Sequence, residues 1–437
     1  MNATAMRDDA ERIWSAAMAA VQPERLVADR LAVAGDDGRR FIFDGRPLPT
    51  DVSLDHVERI VVVGAGKAAA GLAAGIERLL GPARLARHGV TGLVSVPAGC
   101  GRRLAAVEVR ETRPATENLP TPAVVEATHE ILTEVSRLGP RDLVIALVTG
   151  GGSALLAAPK PGVSLEEKIA VTRRLSESGA DIATLNAARR RMSLVKGGGL
   201  ARACTAGNLL VLVLSDVIGD DLDVIASGPC MPTASTTPTD AFPQPGAWTT
   251  PGGCRVQHLL VGGNGTAVVA AEAAARQAGY QIVPGTSPPE ASAEAVGARL
   301  AADAAELLAA ARGDGRPRAL IAGGEATVTV PADHGRGGRN QQTVLAAIDR
   351  FLCAHGAWPA GLVIASIGTD GEDGPTDAAG GCADAAVVAA IGRFQLDLRR
   401  ALRRCDAHPS LDAAGGLVRT GPTGTNVADL RLVLARP

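Results

Sequence analysis

Ile60-Val61-Val62-Val63-Gly64-Ala65-Gly66-Lys67, running on through an alanine-rich stretch to Leu80, is the segment that decides the fold. Four β-branched apolar residues, a glycine turn and an apolar helical pattern read as strand, turn and helix. A strand apolar at every position, not at alternate ones, is covered on both faces. The pattern recurs outward. Gly92 to Val96 is a second apolar segment, and Leu143 to Val148 is a third, ending in Thr149-Gly150-Gly151-Gly152-Ser153. Leu209 to Leu214 ends in Ser215-Asp216. Leu259-Leu260-Val261 leads to Gly262-Gly263-Asn264-Gly265 and a helix to about Ala278, Leu320-Ile321-Ala322 to Gly323-Gly324-Glu325, and Leu362 to Ile367 to Gly368-Thr369-Asp370-Gly371. Strands alternating with helices imply βαβ units and parallel sheets, an α/β fold.

Asp8 to Leu31 reads as one amphipathic helix, and Pro232 to Gly253, rich in Thr, Pro, Ala and Gly, as a loop or linker. At 437 residues two domains are expected, 1–240 and 254–437, the second smaller. Nearly every glycine-rich loop follows a strand, where open α/β sheets collect ligands, so the loops are expected to open onto one cleft.

A formal charge of −2 gives no general pull toward nucleic acid or anionic membrane. Met1 to Arg12 carries acids and no apolar core, no apolar run reaches membrane-spanning length, and neither a signal peptide nor a membrane span is expected. Seven scattered cysteines without a Cys-x-x-Cys pair argue against zinc ribbons and disulfide frameworks and for a reduced cytoplasm. Only Lys67, Lys160, Lys168 and Lys196 are lysines among 44 basic residues, which draws notice to a lysine inside a glycine turn.

Gly64-Ala65-Gly66-Lys67-Ala68-Ala69 matches G-x-G-x-x-G/A, but the acid expected roughly 20 residues on for a ribose hydroxyl is missing. Lys67 reads instead as aimed at a phosphate or carboxylate, against an exposed first-turn lysine. Gly150, Gly151, Gly152 and Ser153 at a helix start offer free amides to an anion, against a capped tight turn. Leu155 stands where a nucleophile elbow needs glycine. Arg189, Arg190, Arg191 and Lys196 fall on a helix stopped by Gly197 to Gly199, with at least one arginine solvated. Asp216, at a strand end, suits Mg²⁺ binding or acceptance of a hydroxyl proton. Asp220 and Asp221 read as surface or capping residues. Glu325 is a metal or ribose candidate. Of the acids after Gly368 (Asp370, Glu372, Asp373, Asp377), Asp370 stands nearest the strand and Asp377 reads as a helix cap. These carboxylates, with Arg336 and Arg339 in a glycine loop, suit phosphoryl transfer.

The blocks VVGAGKAAAGLA, TGGGSALLAAP, NAARRRMSLVKGG, LSDVIGDDLDVIASGP, GGRNQ, GTDGEDGPTDAAG and TGPTGTNVADL, in this order over almost the whole chain, resemble the glycerate 2-kinase family, whose C-terminal part is the MOFRL domain. The resemblance implies a Rossmann-like N-terminal domain, a smaller α/β C-terminal domain and an active site between them. It implies ATP- and Mg²⁺-dependent phosphorylation of the 2-hydroxyl of D-glycerate or a related small hydroxy acid. The family's active-site lysine falls on Lys67 and its arginine on Arg339. The expected set is then Lys67, Arg339 and Asp216 as catalytic residues. Gly64, Gly66, Gly150 to Gly152, Ser153, Arg113, Arg189, Arg191 and Lys196 would bind substrate or phosphate. Gly263, Asn264, Thr369, Gly371, Thr425 and Asn426 would bind nucleotide, and Asp216, Glu325 and Asp370 metal. A homodimer is left open. The rivals are an NAD(P)H-dependent hydroxypyruvate reductase, the older name for such chains, and a non-catalytic metabolite-binding relative.

Some positions depart from the family pattern. Thr112-Arg113-Pro114-Ala115-Thr116-Glu117 replaces Gly-His-Pro-Val-Pro-Asp, Arg191 replaces a histidine, and Gln342 replaces a glutamate. Arginines at 113 and 191 point to an acceptor with a second anionic group, or one longer than glycerate. The competing reading turns them to solvent or onto Glu117.

Overall fold

The computed structural model describes residues 3–34, 39–48, 52–115, 118–178, 182–232, 247–285 and 291–437. The backbone forms two compact units. One is Gln22–Gly263 with Gly424–Asn426; the other is Met1–Val21, Asn264–Thr423 and Val427–Pro437. This division differs from the ranges 1–240 and 254–437. The expected single N-terminal helix is two, Ala3–Ala20 and Pro23–Arg30, parted where Pro23 starts the second. The first belongs with the C-terminal residues, because buried Asp9 accepts hydrogen bonds from Tyr280 Oη (2.8 Å) and Arg436 Nη2 (2.7 Å).

In the unit of Gln22–Gly263, strands β1 (Leu31–Ala34), β2 (Arg40–Phe43) and β3 (Arg46–Pro47) make a small antiparallel sheet. The main sheet contains β4 (Ile60–Ala65), β5 (Thr91–Pro97), β6 (Glu108–Arg113), β7 (Leu143–Thr149), β8 (Asn208–Leu214), β9 (Ala247–Thr249) and β10 (Arg255–Gly262). Their order is β6-β5-β4-β7-β8-β10-β9, parallel except for edge strand β9. β4, β7 and β8 are buried at every residue, as an all-apolar strand between two helical layers must be. Val63, Val144, Val211, Leu155 and Leu200 share one core, each full burial contributing roughly 1.5–3 kcal/mol. The segment read as a linker supplies β9; residues 233–246 lie outside the described residues. Sheet order reverses between β4 and β7, the switch point outside which such sheets bind ligands. The Gly64–Lys67 turn and the Thr149–Ser153 loop leave those two strands.

The second unit's sheet holds β11 (Gln281–Pro284), β12 (Arg318–Gly324), β13 (Leu362–Gly368), β14 (Gly380–Ala383), β15 (Leu417–Val418) and β16 (Asp429–Ala435), in the order β11-β12-β16-β13-β14-β15. β16 lies between β12 and β13, antiparallel to both. It is buried throughout despite Asp429 and Arg431. Helices Ala293–Asp314 and Arg339–His355 pack on this sheet through Leu300, Leu307, Ala347 and Phe351.

Candidate functional site

The two switch-point loops are stitched together by backbone. Gly66 donates to Ser95 O (3.1 Å), Lys67 N to Gly150 O (3.0 Å), and Ala68 N to Thr149 Oγ1 (3.2 Å). Gly66 has φ +130°, and a Cβ there would lie 2.0 Å from Thr149 Oγ1, so glycine is required for the turn to close. At Gly151 a Cβ would stand 3.8 Å from Lys67 Cγ and 3.7 Å from Arg113 Nη2. Lys67 and Arg113 therefore flank the same glycine. Arg113 is buried at the end of β6, its Nη1 donating to Pro114 O (2.8 Å) and Ala115 O (3.3 Å). Glu117, its suggested partner, lies outside the described residues. Arg191 is exposed at the end of helix Ile182–Arg191.

The helix after Gly151 is a single turn, Gly152–Leu155. A long dipole is therefore not what would hold an anion here; flanking cations are. The Gly151 amide is also engaged, donating to Asp216 Oδ2 at 3.3 Å, and Asn426 Nδ2 donates to the same oxygen at 3.4 Å. Both partners press on Gly150, where a Cβ would come within 2.6 Å of Asp216 Oδ2 and 2.5 Å of Asn426 Nδ2.

Lys196 does not extend a helix of arginines; it sits in the turn beyond Arg191, 2 % exposed, under the loop. Its Nζ donates to Ser153 O (2.9 Å), Ser153 Oγ (2.8 Å) and Ala226 O (3.3 Å). Ala226, Ser227 and Gly228 all have positive φ, and that strained turn aims Ala226 O at Lys196 and Ser227 Oγ at Asn186 Oδ1 (2.9 Å). Burial, reinforced by the positive charges of Lys168, Arg189 and Arg190, pushes the Lys196 ammonium well below the ordinary lysine range. Burial likewise lowers Arg189, whose Nη1 is 3.4 Å from Asn186 Oδ1.

In the second unit Arg339 opens helix Arg339–His355 with its fork filled. Nε and Nη2 donate to Asp429 Oδ2 (2.8 Å) and Oδ1 (2.9 Å), and Nη1 pairs with Glu325 Oε1 (2.8 Å). Asp429 is fully buried, which holds Arg339 charged. Asp373 accepts from the amides of Asn340 (2.9 Å) and Gln341 (2.8 Å), capping this helix from a distant loop. Burial pushes its carboxyl up to about 6. Asp377 caps no helix: it bridges Arg419 (2.8 Å), His408 (2.8 Å) and Arg336 (3.5 Å). Gln342 donates to Glu294 Oε1 (2.8 Å) and Leu402 O (2.8 Å). A glutamate at 342 would set like charges together, so glutamine fits Glu294. A cavity of about 440 Å³ beside Arg339 is walled by Ala326, Val328, Val330 and Pro375.

The expected nucleotide residues serve several purposes. Asn264 Nδ2 donates to Val427 O (2.8 Å) and Asp429 O (3.0 Å), and Thr369 Oγ1 to Ala428 O (2.6 Å), so both brace the start of β16. Gly371 packs on Gly421 O, where a Cβ would meet it at 2.0 Å, and Gly263 lies against Asp220. Thr425 is buried. Among the described residues no three His, Cys, Asp or Glu side chains converge to hold a metal. Asp216 and the pair Glu325 and Asp370 lie on different units, and Glu325 is committed to Arg339. The sequence reading did not single out Asp429, Asn186 or Ser227, and Asp373 stood only as one of four acids after Gly368. Lys168 was visible only as one of four lysines. Among the described residues no helix is long and apolar enough to cross a membrane.

Residues 9–243 match a family described as a domain of unknown function, DUF4147, and residues 318–429 match the MOFRL family. A D-glycerate 2-kinase from Thermotoga maritima is 34% identical over 89% of this chain and 94% of its own. A putative hydroxypyruvate reductase from Agrobacterium vitis is 36% identical over 86% and 99%. The crystal structure of a Thermotoga maritima glycerate kinase superposes with a TM-score of 0.77 at 30% identity, covering 99% of this chain and 100% of that one.

Proposed function

The chain belongs to the glycerate 2-kinase family, a phosphotransferase acting on an alcohol, and from that premise we propose that it moves the γ-phosphoryl of ATP, with Mg²⁺, to the 2-hydroxyl of D-glycerate or a closely related hydroxy acid. The observation that carries this reading is the switch-point loop, where Lys67 and Arg113 flank Gly151. Two cationic side chains beside one glycine suit the carboxylate of the acceptor or the oxygens of the transferring group.

Asp216 is the group to take the acceptor's hydroxyl proton or to anchor Mg²⁺. Its carboxylate is only partly buried, and its Oδ2 accepts from the Gly151 amide at 3.3 Å and from Asn426 Nδ2 at 3.4 Å. Mg²⁺ ordinarily binds through one or two carboxylates plus substrate phosphates, so a single carboxylate at this loop fits it. Bound there, the ion would neutralise charge on the phosphate chain. Lys67 would orient the acceptor, and Lys196 fixes the loop by its bonds to Ser153. Arg339 holds Asp429 and Glu325 at the start of its helix, and we assign it a share in charge neutralisation through Nη1, where Glu325 is half-exposed.

A second reading, the reductase, has the glycine pattern and one relative's name behind it. Against it, β5 ends in Val96-Pro97 with no carboxylate for a ribose hydroxyl, and Glu111 on the neighbouring strand is taken up by the amides of Gly99 (3.0 Å) and Gly101 (2.9 Å). The test is product analysis of D-glycerate incubated with ATP and Mg²⁺, by phosphorus NMR, alongside an NADH titration. Formation of 2-phosphoglycerate is expected. Tight NADH binding with no phosphorylated product would overturn the kinase reading.

A further inference from the structure

Lys196 Nζ has three polar contacts among the described residues: Ser153 O (2.9 Å), Ser153 Oγ (2.8 Å) and Ala226 O (3.3 Å). None is a carboxylate. A neutral amine has two N–H donors and one lone pair, and these contacts match that inventory. Two are carbonyl oxygens, which only accept, and the third is a hydroxyl, which can donate. The two N–H groups go to Ser153 O and Ala226 O, and the lone pair takes the Ser153 hydroxyl proton. The charged groups acting on Lys196 are Lys168, Arg189 and Arg190, all positive, and with burial they favour the neutral form. The rival acceptor for that proton, Ser227 Oγ, is farther away at 3.2 Å, and its own proton goes to Asn186 Oδ1. Positive φ at Ala226, Ser227 and Gly228, two of them not glycine, is the costly backbone that brings Ala226 O to the amine.

We propose that Ser153 and Lys196 form a serine–lysine dyad, with Ser153 the nucleophile toward a small activated carboxylic ester and Lys196 its general base. Such pairs recur on unrelated folds and are recognised by geometry, not by sequence position. Leu155 excludes a nucleophile elbow, and none is needed here. Ser153 lies in the single turn Gly152–Leu155 without positive φ, and the base arrives from the turn beyond Arg191. Ser153 is half-buried, whereas Ser227 is 1 % exposed and bonded to Asn186, so Ser153 is the hydroxyl a substrate can reach. This activity goes beyond phosphoryl transfer and does not rest on it.

In acylation Ser153 Oγ bonds to the ester carbonyl carbon while its proton passes to Lys196 Nζ. The tetrahedral oxyanion collapses, the bond to the leaving oxygen breaks, and Lys196 returns the proton to that oxygen. Water, deprotonated by Lys196, then attacks the acyl-serine. Collapse frees the carboxylic acid and gives the proton back to Ser153 Oγ. The net change is ester and water to acid and alcohol. Lys67 and Arg113, beside Gly151 two residues before the nucleophile, bring positive charge to the same loop, which suits an oxyanion.

The experiment is incubation of the full chain with 4-nitrophenyl acetate, following 4-nitrophenolate release and locating the acetyl group by peptide mass spectrometry after an acid quench. Wild type is expected to carry acetyl on Ser153. Ser153→Ala should lose that adduct and Ser153→Cys should keep it. Lys196→Met should acylate at least about 10²-fold more slowly, the usual share of a general base. Melting temperatures of the three variants separate lost chemistry from lost folding. The pH profile of wild-type acylation isolates the base without any substitution. The amine works only unprotonated, so the rate should rise with pH and level off well below the ordinary lysine value of about 10.4. A rate still climbing at that value, or acetyl confined to amines with Ser153 bare, would overturn the proposal. So would a folded Ser153→Ala protein that releases 4-nitrophenolate as fast as wild type. Acetylated Ser153 in a chain that forms no 2-phosphoglycerate keeps the dyad and sinks the kinase reading. Formation of 2-phosphoglycerate by a chain whose Ser153 stays bare does the reverse.

Discussion

Asp216 Oδ2 lies 3.3 Å from the Gly151 amide, so a carboxylate occupies the donor that a bare glycine loop would offer to an anion. Ligand oxygens arriving at Gly151 must displace Asp216 or share it through a cation. Lys67 and Arg113 stand beside the same glycine whose amide Asp216 holds.

Asp216→Asn keeps the shape and removes the base and metal anchor. Turnover should drop about 10²-fold or more, the usual size of a general-base contribution, with the melting temperature nearly unchanged. A kcat within threefold of wild type in a coupled assay would remove Asp216 from the chemistry.

Lys67→Ala and Arg339→Ala should both abolish most activity, but they differ in stability. Lys67 stands half-buried in the turn after β4, so its loss should lower melting less than the loss of Arg339 does. Arg339→Ala strands fully buried Asp429, which costs about 3–5 kcal/mol, or roughly 5–15 °C in melting temperature. Equal melting of the two variants would contradict the pairing described for Arg339.

Arg113→His should change kcat/KM for the acceptor by about tenfold, the scale of one charge-assisted contact, whereas exposed Arg191→His should stay within twofold. Comparing glycerate with longer and doubly anionic hydroxy acids measures both. A larger effect at 191 than at 113 would refute the placement.

Asp373 has its folded value raised to about 6 by burial, above the ordinary aspartate value. The folded state then binds the extra proton, so this group's contribution favours folding at low pH and fades as pH rises through about 6. The melting-temperature difference between wild type and Asp373→Asn should therefore shift in favour of wild type from pH 7 to pH 5. A difference flat across that range would show that Asp373 does not titrate as described.

Much of the parallel sheet was legible because its strands announce themselves. Ile60–Val63, Leu143–Val148 and Leu209–Leu214 are unbroken apolar runs ended by glycine or by Ser-Asp, and they fall on β4, β7 and β8. β16 was not legible. Asp429 and Arg431 interrupt its pattern, and the burial of Asp429 makes sense only once Arg339, 90 residues away in sequence, is known to pair with it. The same limit hid the cap that Asp373 places on Asn340 and Gln341, and the match of Gln342 to Glu294. Lys67 and Asp216 drew notice by their positions at strand ends. Lys168, inside an ordinary amphipathic helix, carried no local signal beyond being a lysine in an arginine-rich chain.

The position of β16 between β12 and β13 has a consequence for synthesis on the ribosome. The parallel sheet can pair all its strands once residue 262 has emerged, but the mixed sheet lacks its central strand until residue 435 does. At about 5–20 residues per second that is a delay of roughly 10–35 s. Once residue 368 has emerged, β12 and β13 present two unpaired edges until β16 follows, and helix Ala3–Ala20 waits for Arg436 to become available to Asp9. Nascent chains stalled in this interval are the form most exposed to edge-to-edge aggregation, and so the natural clients of a chaperone that shields strand edges.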